Sequence, residues 1–218
     1  RCYVLVTPDG ERTMNTYLGA AQNLNPHDIN PGTVAAAAII YLEGYLWDPV
    51  HAKDAFVKAA TIAHQSKRLV ALTLSDSFCV SRWRDEFLHL IRSGTVDLLF
   101  ANEAELLSLY RTTDFDAGIA ALRKDSKHAV VTRSAKGCVV IDGDNALPAP
   151  ACRVERVVDT TGAGDLFAAG FLFGVARGLG NEKAARLGAL AAAEIISHLG
   201  ARPDTSLRML GKENGLLA

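Results

Sequence analysis

Two aspartates and two glycines fall within one short run, Asp159-Thr160-Thr161-Gly162-Ala163-Gly164-Asp165. There a strand-like Val157-Val158 gives way to the helical pattern Leu166-Phe167-Ala168-Ala169-Gly170. Glycines at such a turn let the backbone bend sharply and approach another molecule, and the first amides of the following helix form a positive pole suited to phosphate. Asp165 is out of place at an anion-binding pole unless it takes a proton from a hydroxyl that attacks the phosphate. The plainer alternative is an ordinary turn in which Asp165 complements the helix end. Neither of two other phosphate loops fits. A dinucleotide fingerprint needs a small residue where Phe167 stands, and a P-loop needs Gly-Lys-Ser/Thr, whereas Gly211-Lys212 runs into Glu213.

Two further runs carry groups that could meet a nucleotide. After Val96-Asp97-Leu98-Leu99-Phe100 comes Ala101-Asn102-Glu103-Ala104-Glu105, with Asn102 and Glu105 on one face at the start of a helix. By themselves they are a capping box; as hard oxygen donors they also suit Mg²⁺ and its waters. Thr132-Arg133-Ser134-Ala135-Lys136-Gly137 lies between two strand-like segments and reads as a turn, with hydroxyls and a lysine available to phosphates. Arg12, in Glu11-Arg12-Thr13, is either a solvated strand charge or a fork of donors for a substrate or its phosphate.

The elements that must position these residues follow from periodicity. Residues 2–7 and 12–17 read as a hairpin across Thr7-Pro8-Asp9-Gly10. Leu18, Ala21 and Gln22 have helical spacing, Asn25-Pro26 breaks it, and Val34 to Leu42 reads as a buried strand or its approach. Helices are expected over Val50 to Ser66, Ser81 to Ile91, Asn102 to Tyr110, Asp116 to Lys124, Asp165 to Arg177 and Glu182 to His198. Strands are expected at Leu69 to Leu74, Val96 to Phe100, Ala129 to Thr132, Cys138 to Ile141 and Val154 to Val158. Strands separated by helices imply an α/β protein with a mainly parallel sheet covered on both faces, and ligands then gather at the C-terminal strand ends.

At 218 residues, 49% hydrophobic and 22% charged, the chain can bury a substantial core. A net charge of −1 without a basic block argues against nucleic acid as the main partner, and the apolar stretch Leu166 to Ala176 is far shorter than the ~20 residues of a membrane helix. Cys2, Cys79, Cys138 and Cys152 are scattered, which suits reduced thiols and a cytoplasmic location. No spacing among the six histidines suggests a metal site.

The run Asp-Thr-Thr-Gly-Ala-Gly-Asp followed by Leu-Phe-Ala-Ala-Gly-Phe resembles the signature of the ribokinase-like (PfkB) carbohydrate and nucleoside kinases. Asn102-x-x-Glu105 and Thr132 to Gly137 resemble that family's Mg²⁺ and nucleotide motifs in the same chain order, except that Ser134 stands where a glycine is usual. The resemblance implies a three-layer α/β/α fold, with residues 1–20 part of a small β lid and 21–218 a nucleotide-binding and catalytic domain. It also implies that a first part of the enzyme, with its Gly-Gly substrate motif, precedes Arg1. Asp165 would be the base, and Gly162, Ala163 and Gly164 would supply amides to the migrating phosphoryl group. Asn102 and Glu105 would organise Mg²⁺ through water, Thr132, Ser134, Lys136 and Gly137 would line ATP, and Arg12 would reach the substrate. Asp159, Thr161 and Gly200 would border a K⁺ ion. The Arg12 to Ala20 and Tyr41 to Leu46 segments look most like the adenosine-kinase branch, so adenosine is the expected acceptor. The alternatives are a ribose, fructose or keto-deoxy sugar acid kinase, or a silent nucleotide-binding regulator. Two copies could pair through the lid.

Overall fold

The structure is a computed structural model that describes residues 1–218. The chain forms two compact units, one of Gly19–Arg133 and Val139–Leu147, the other of Arg1–Leu18, Ser134–Cys138 and Pro148–Ala218. The first division falls between Leu18 and Gly19, and the hairpin groups with the C-terminal helices.

The larger unit is built on a sheet of order β3-β4-β5-β6-β7-β8. Its strands are β3 (Ile39–Glu43), β4 (Leu69–Thr73), β5 (Leu98–Asn102), β6 (His128–Thr132), β7 (Cys138–Asp142) and β8 (Asn145–Ala149). The first four run parallel, with Leu42 opposite Leu72, Leu72 opposite Leu99 and Leu99 opposite Ala129. Helices supply the crossovers that parallel strands require: α2 (Val50–Gln65), α3 (Ser77–Arg92), α4 (Glu103–Tyr110) and α5 (Phe115–Asp125). Val70, Leu72, Leu99, Ala101, Ala129 and Val131 join Phe56, Phe87, Leu106 and Leu122 of these helices in one core. The alternate residues Ala71, Leu98, Phe100 and Val130 are also buried, so both faces of the sheet are covered, as an unbroken apolar strand pattern implies.

Three expectations need correction. Val34 does not open a strand: it lies in α1 (Pro31–Ala36), capped by the Asn30 side chain, which accepts from the Thr33 amide at 3.0 Å, and β3 begins only at Ile39. Pro31 at the first helical position was a readable start signal. Val154 to Val158 forms no strand. Its backbone, which bends at Glu155, is tied by one bond, from the Val158 amide to the Ile196 carbonyl at 2.8 Å, rather than by a ladder, and Val157 stays exposed. Conversely β8 was not among the expected strands; it is the last strand of the sheet, and an edge tolerates its Pro148.

One cluster in this unit titrates in the acid range. Asp48 takes bonds from Arg82 at 3.1 and 2.7 Å and from Trp83 Nε1 at 2.7 Å, while Glu86 binds Lys53 at 3.0 and 2.8 Å and Trp47 Nε1 at 2.7 Å. Burial alone would raise both pKa values, but these bonds and charges outweigh it and hold both below the usual carboxylate range. A depressed folded pKa stabilises fully above the unfolded value near ~4 and loses that contribution as pH falls through the folded value. Both carboxylates are 40–45% exposed, so water screens much of the gain. The Asp48→Asn/Glu86→Gln double variant is expected to be about 1 kcal/mol less stable at pH 7 and equal to the parent near pH ~2, as read by urea unfolding at both pH values.

In the smaller unit, β1 (Cys2–Val6) and β2 (Arg12–Thr16) form the expected antiparallel hairpin, with Val4 opposite Met14. Helices α6 (Ala163–Ala176), α7 (Asn181–Ile195) and α8 (Leu207–Glu213) follow. Small residues bring α6 and α7 into backbone contact: a β-carbon on Gly170 would lie 2.6 Å from the Leu187 carbonyl, and one on Gly188 would lie 2.7 Å from that of Phe167. The alanine-rich composition of both helices is thus accounted for by packing. No helix is long and apolar enough to cross a membrane.

Candidate active site

In the smaller unit the 159–165 turn is assembled around a buried carboxylate. Asp159 is 2% exposed; its Oδ1 accepts from the Thr161 amide at 2.9 Å and hydroxyl at 2.6 Å, and its Oδ2 accepts from the Gly200 amide at 3.0 Å. Burial works against its charge, yet the Thr161 and Gly200 bonds and the nearby Arg12 hold its pKa below the usual range. The hairpin joins the same turn. Thr160 donates its amide and its hydroxyl to the Gly10 carbonyl, both at 3.1 Å, and Arg12 donates to Thr160 Oγ1 at 3.0 Å. Arg12 is therefore neither free in solvent nor aimed away from this turn.

Gly162 then takes φ +81°, a left-handed conformation that a side chain would strain, and precedes the first turn of α6. The Ala163 amide is engaged by the Thr160 carbonyl at 3.3 Å. The amides of Gly162, Gly164 and Asp165 bond no backbone carbonyl, so two of the three expected donors are free and the Asp165 amide stands free beside them. A β-carbon on Gly164 would meet no atom within 4 Å, so this glycine is not required by packing. Asp165 is exposed and its carboxylate has no hydrogen bond or ion pair within the protein. Earlier in the chain but in the same unit, Ser134 to Lys136 make a single turn closed by the Gly137 amide on the Ser134 carbonyl at 3.0 Å.

Ser134 has φ +50°. The serine thus keeps a backbone conformation natural to glycine, at a cost of about 1 kcal/mol. Because glycine also loses more freedom on folding, Ser134→Gly is expected to move stability by no more than about 1 kcal/mol, or about 2–4 °C in thermal unfolding. A larger fall would assign the serine side chain a structural task. Gly137 is a different case, since a β-carbon there would collide with the Ala149 carbonyl oxygen and the Ala151 amide nitrogen.

In the larger unit, Asn102 and Glu105 form a complete capping box on α4. Glu105 Oε2 accepts from the Asn102 amide at 2.9 Å, Oε1 accepts from Asn102 Nδ2 at 2.7 Å, and Asn102 Oδ1 accepts from the Glu105 amide at 2.9 Å. Glu105 is 4% exposed, and its pKa is pushed up to about 7 by burial, against the Asn102 bond, with Asp76 and Glu43 adding like charge. Sequence reasoning missed both acids. Glu43 ends β3 and takes a bond from Ser75 Oγ at 3.0 Å; Asp76 caps α3 by accepting from the Cys79 amide at 2.6 Å. Each follows a parallel strand at its C-terminal end, the signal that singled out Asn102. Ser75, at φ +70°, is a strained residue at the same edge. Thr132 ends β6, and Arg133 forks onto Glu103 at 3.3 and 3.2 Å with its guanidinium 3.6 Å from the Phe115 ring centre.

The smaller unit thus presents a helix start with free amides beside an unpaired acid, and the larger unit presents carboxylates at adjoining strand ends. Residues 1–207 match the pfkB family of carbohydrate kinases, and the chain belongs to that family. An adenosine kinase of Saccharomyces cerevisiae is 28% identical over 214 residues, covering 92% of this chain and 62% of its own. Among solved structures, a probable sugar kinase from Rhizobium etli is 51% identical with a TM-score of 0.98, covering 100% of this chain and 66% of its own. The adenosine kinase from Sinorhizobium meliloti is 52% identical with a TM-score of 0.96, covering 98% of this chain and 65% of its own. The chain thus spans just under two thirds of the length of each.

Proposed function

We propose that the protein transfers the γ-phosphoryl group of ATP to the hydroxymethyl group of a nucleoside, with adenosine the first candidate. The carrying observation is the exposed, unpartnered Asp165 carboxylate next to the free amides of Gly162 and Gly164. In this reading the acceptor oxygen bonds to the γ-phosphorus as the bond from that phosphorus to the bridging oxygen breaks and ADP leaves. Asp165 takes the hydroxyl proton late, and the amides hold charge on the moving group. Adenosine kinases among the relatives that cover most of this chain support the nucleoside acceptor, while the equally similar probable sugar kinase supports a sugar, so the acceptor assay decides between them.

Asn102 and Glu105 would hold Mg²⁺ through water, and the ion would supply positive charge against the nucleotide phosphates. The donor set fits it: Glu43, Asp76 and Glu105 concentrate negative charge, and Asn102 and Glu105 satisfy one another while keeping lone pairs for waters. Thr132, Ser134, Lys136 and Gly137 are assigned to ATP, and Arg12 to the substrate. A monovalent cation, K⁺ by its usual abundance, suits the buried Asp159, Thr161 and the Gly200 backbone, where an ionised carboxylate is met mainly by neutral donors. The exposed Tyr3, Leu5 and Tyr17 of the hairpin segment support pairing of two copies there, and a cytoplasmic setting suits the free thiols.

A coupled assay of ADP release by the whole protein, run with adenosine, cytidine, ribose and fructose, tests the reading. Adenosine is expected to give the highest kcat/KM. Release stimulated only by a sugar transfers the proposal to a sugar kinase, and no stimulation by any acceptor favours a silent regulator.

A further inference from the structure

Glu194, in the last turn of α7, lies outside every motif considered above. Its side chain is 7% exposed, and burying a carboxylate is costly unless it is used. Oε1 accepts from the Asp204 amide at 2.8 Å, the Thr205 amide at 3.0 Å and Thr205 Oγ1 at 3.3 Å. Two consecutive amides on one oxygen hold the returning loop to the end of α7. His198, just beyond the end of α7, flanks it with Nε2 at 3.3 Å from Oε1 and Nδ1 at 3.6 Å from Asp204 Oδ2. Oε2 is buried and has no partner, so the carboxylate acts on the loop through Oε1.

The other end of the same loop meets the catalytic turn. The Gly200 amide donates to Asp159, and Ala201 packs on Gly162, where an added β-carbon would lie 3.3 Å from the Ala201 β-carbon. Asp159 in turn holds Thr161, which precedes Gly162 and its free amide. The loop is thus pinned at both ends, by Glu194 at residues 204–205 and by Asp159 at residue 200. A shift at one end is passed along a few residues of backbone to the turn that carries Asp165.

We propose that Glu194 is a positioning residue: by holding the 204–205 amides it fixes the 200–201 backbone against Asp159 and Gly162, and so sets the aim of the turn amides and Asp165. The kinetic part rests on the phosphotransfer reading above.

The test uses the whole protein with Glu194→Asp, which keeps the charge but withdraws the oxygen, and Glu194→Gln, which keeps the oxygen without the charge. Glu194→Asp is expected to lower kcat by about 10-fold or more, with KM for ATP and acceptor changing by less than about twofold, because misalignment of reacting groups acts on the transition state. Amide hydrogen exchange at Gly200 and Thr161 should quicken by about 10-fold or more in the same variant, while Glu194→Gln stays within about threefold of the parent in both readouts. A Glu194→Asp protein of parental kcat, faster exchange confined to residues 204–205, or a Glu194→Gln protein as impaired as Glu194→Asp would each overturn the proposal. Should Glu194→Asp not fold, Thr205→Ala removes only the 3.3 Å hydroxyl bond and is expected to quicken Thr161 exchange by about threefold; parental exchange there overturns the proposal too. If the parent turns over no acceptor, the phosphotransfer reading fails, and exchange at Thr161 still decides whether Glu194 governs the turn.

Discussion

Asp165→Asn is expected to lower kcat by about 10²–10⁴-fold while leaving ATP bound as tightly as in the parent, or more tightly. The carboxylate is exposed and holds no other part of the protein, so its loss removes no structural contact. What changes is charge in the first turn of α6: asparagine forgoes up to about 1 kcal/mol of favourable interaction with the helix's positive end. The same change relieves repulsion between a carboxylate and an incoming phosphate, which is why binding should not weaken. Asparagine is nearly isosteric but cannot accept the hydroxyl proton. Single-turnover measurement of phosphoryl transfer, with calorimetric titration of ATP, separates the steps. Parental turnover would remove Asp165 from proton transfer. Lost ATP affinity would instead make it a nucleotide ligand.

The parallel sheet was legible because β4, β5 and β6 are short, continuous apolar runs alternating with helical patterns, as strands covered on both faces are. Helices were legible from their spacing, and the Asn102 to Glu105 box from its capping pattern, which the structure reproduces bond for bond. Val154 to Val158 misled because β-branched residues favour extended backbone whether or not a neighbour supplies a ladder; Val158 finds a single carbonyl at Ile196. The gathering of Glu43 and Asp76 near Glu105 depends on which strands become neighbours, and residue types do not state that until β3, β4 and β5 are paired in order. The Gly10–Thr160 tie was hidden for the same reason, and the Asp159–Gly200 tie was signalled by the family resemblance alone. They join residues 150 and 41 positions apart through backbone groups, and a backbone amide or carbonyl is the same in every sequence.

Gly164→Ala separates the fold from the chemistry at the same turn. Gly164 does not need a glycine's backbone freedom, since its φ is not positive, and a β-carbon there would meet nothing within 4 Å. Alanine in a helix is favoured over glycine by about 0.5–1 kcal/mol, so the variant should unfold at the same temperature or slightly higher. Yet the added methyl would stand beside the free Gly164 and Asp165 amides, in the space a phosphoryl group needs if it is to approach them. Displacing that group by about 1 Å is enough to cost ~10²-fold in rate, so kcat/KM is expected to fall by about that factor in a protein that has lost no stability. The contrast with Gly170, where the same methyl would strike the Leu187 carbonyl, is the control: Gly170→Ala should lose stability through packing of α6 on α7, and lose activity only as far as it unfolds. Thermal unfolding and steady-state kinetics on both variants distinguish the two. Parental kcat/KM in Gly164→Ala would mean that nothing approaches these amides during turnover, and the phosphate would have to be sought elsewhere in the protein.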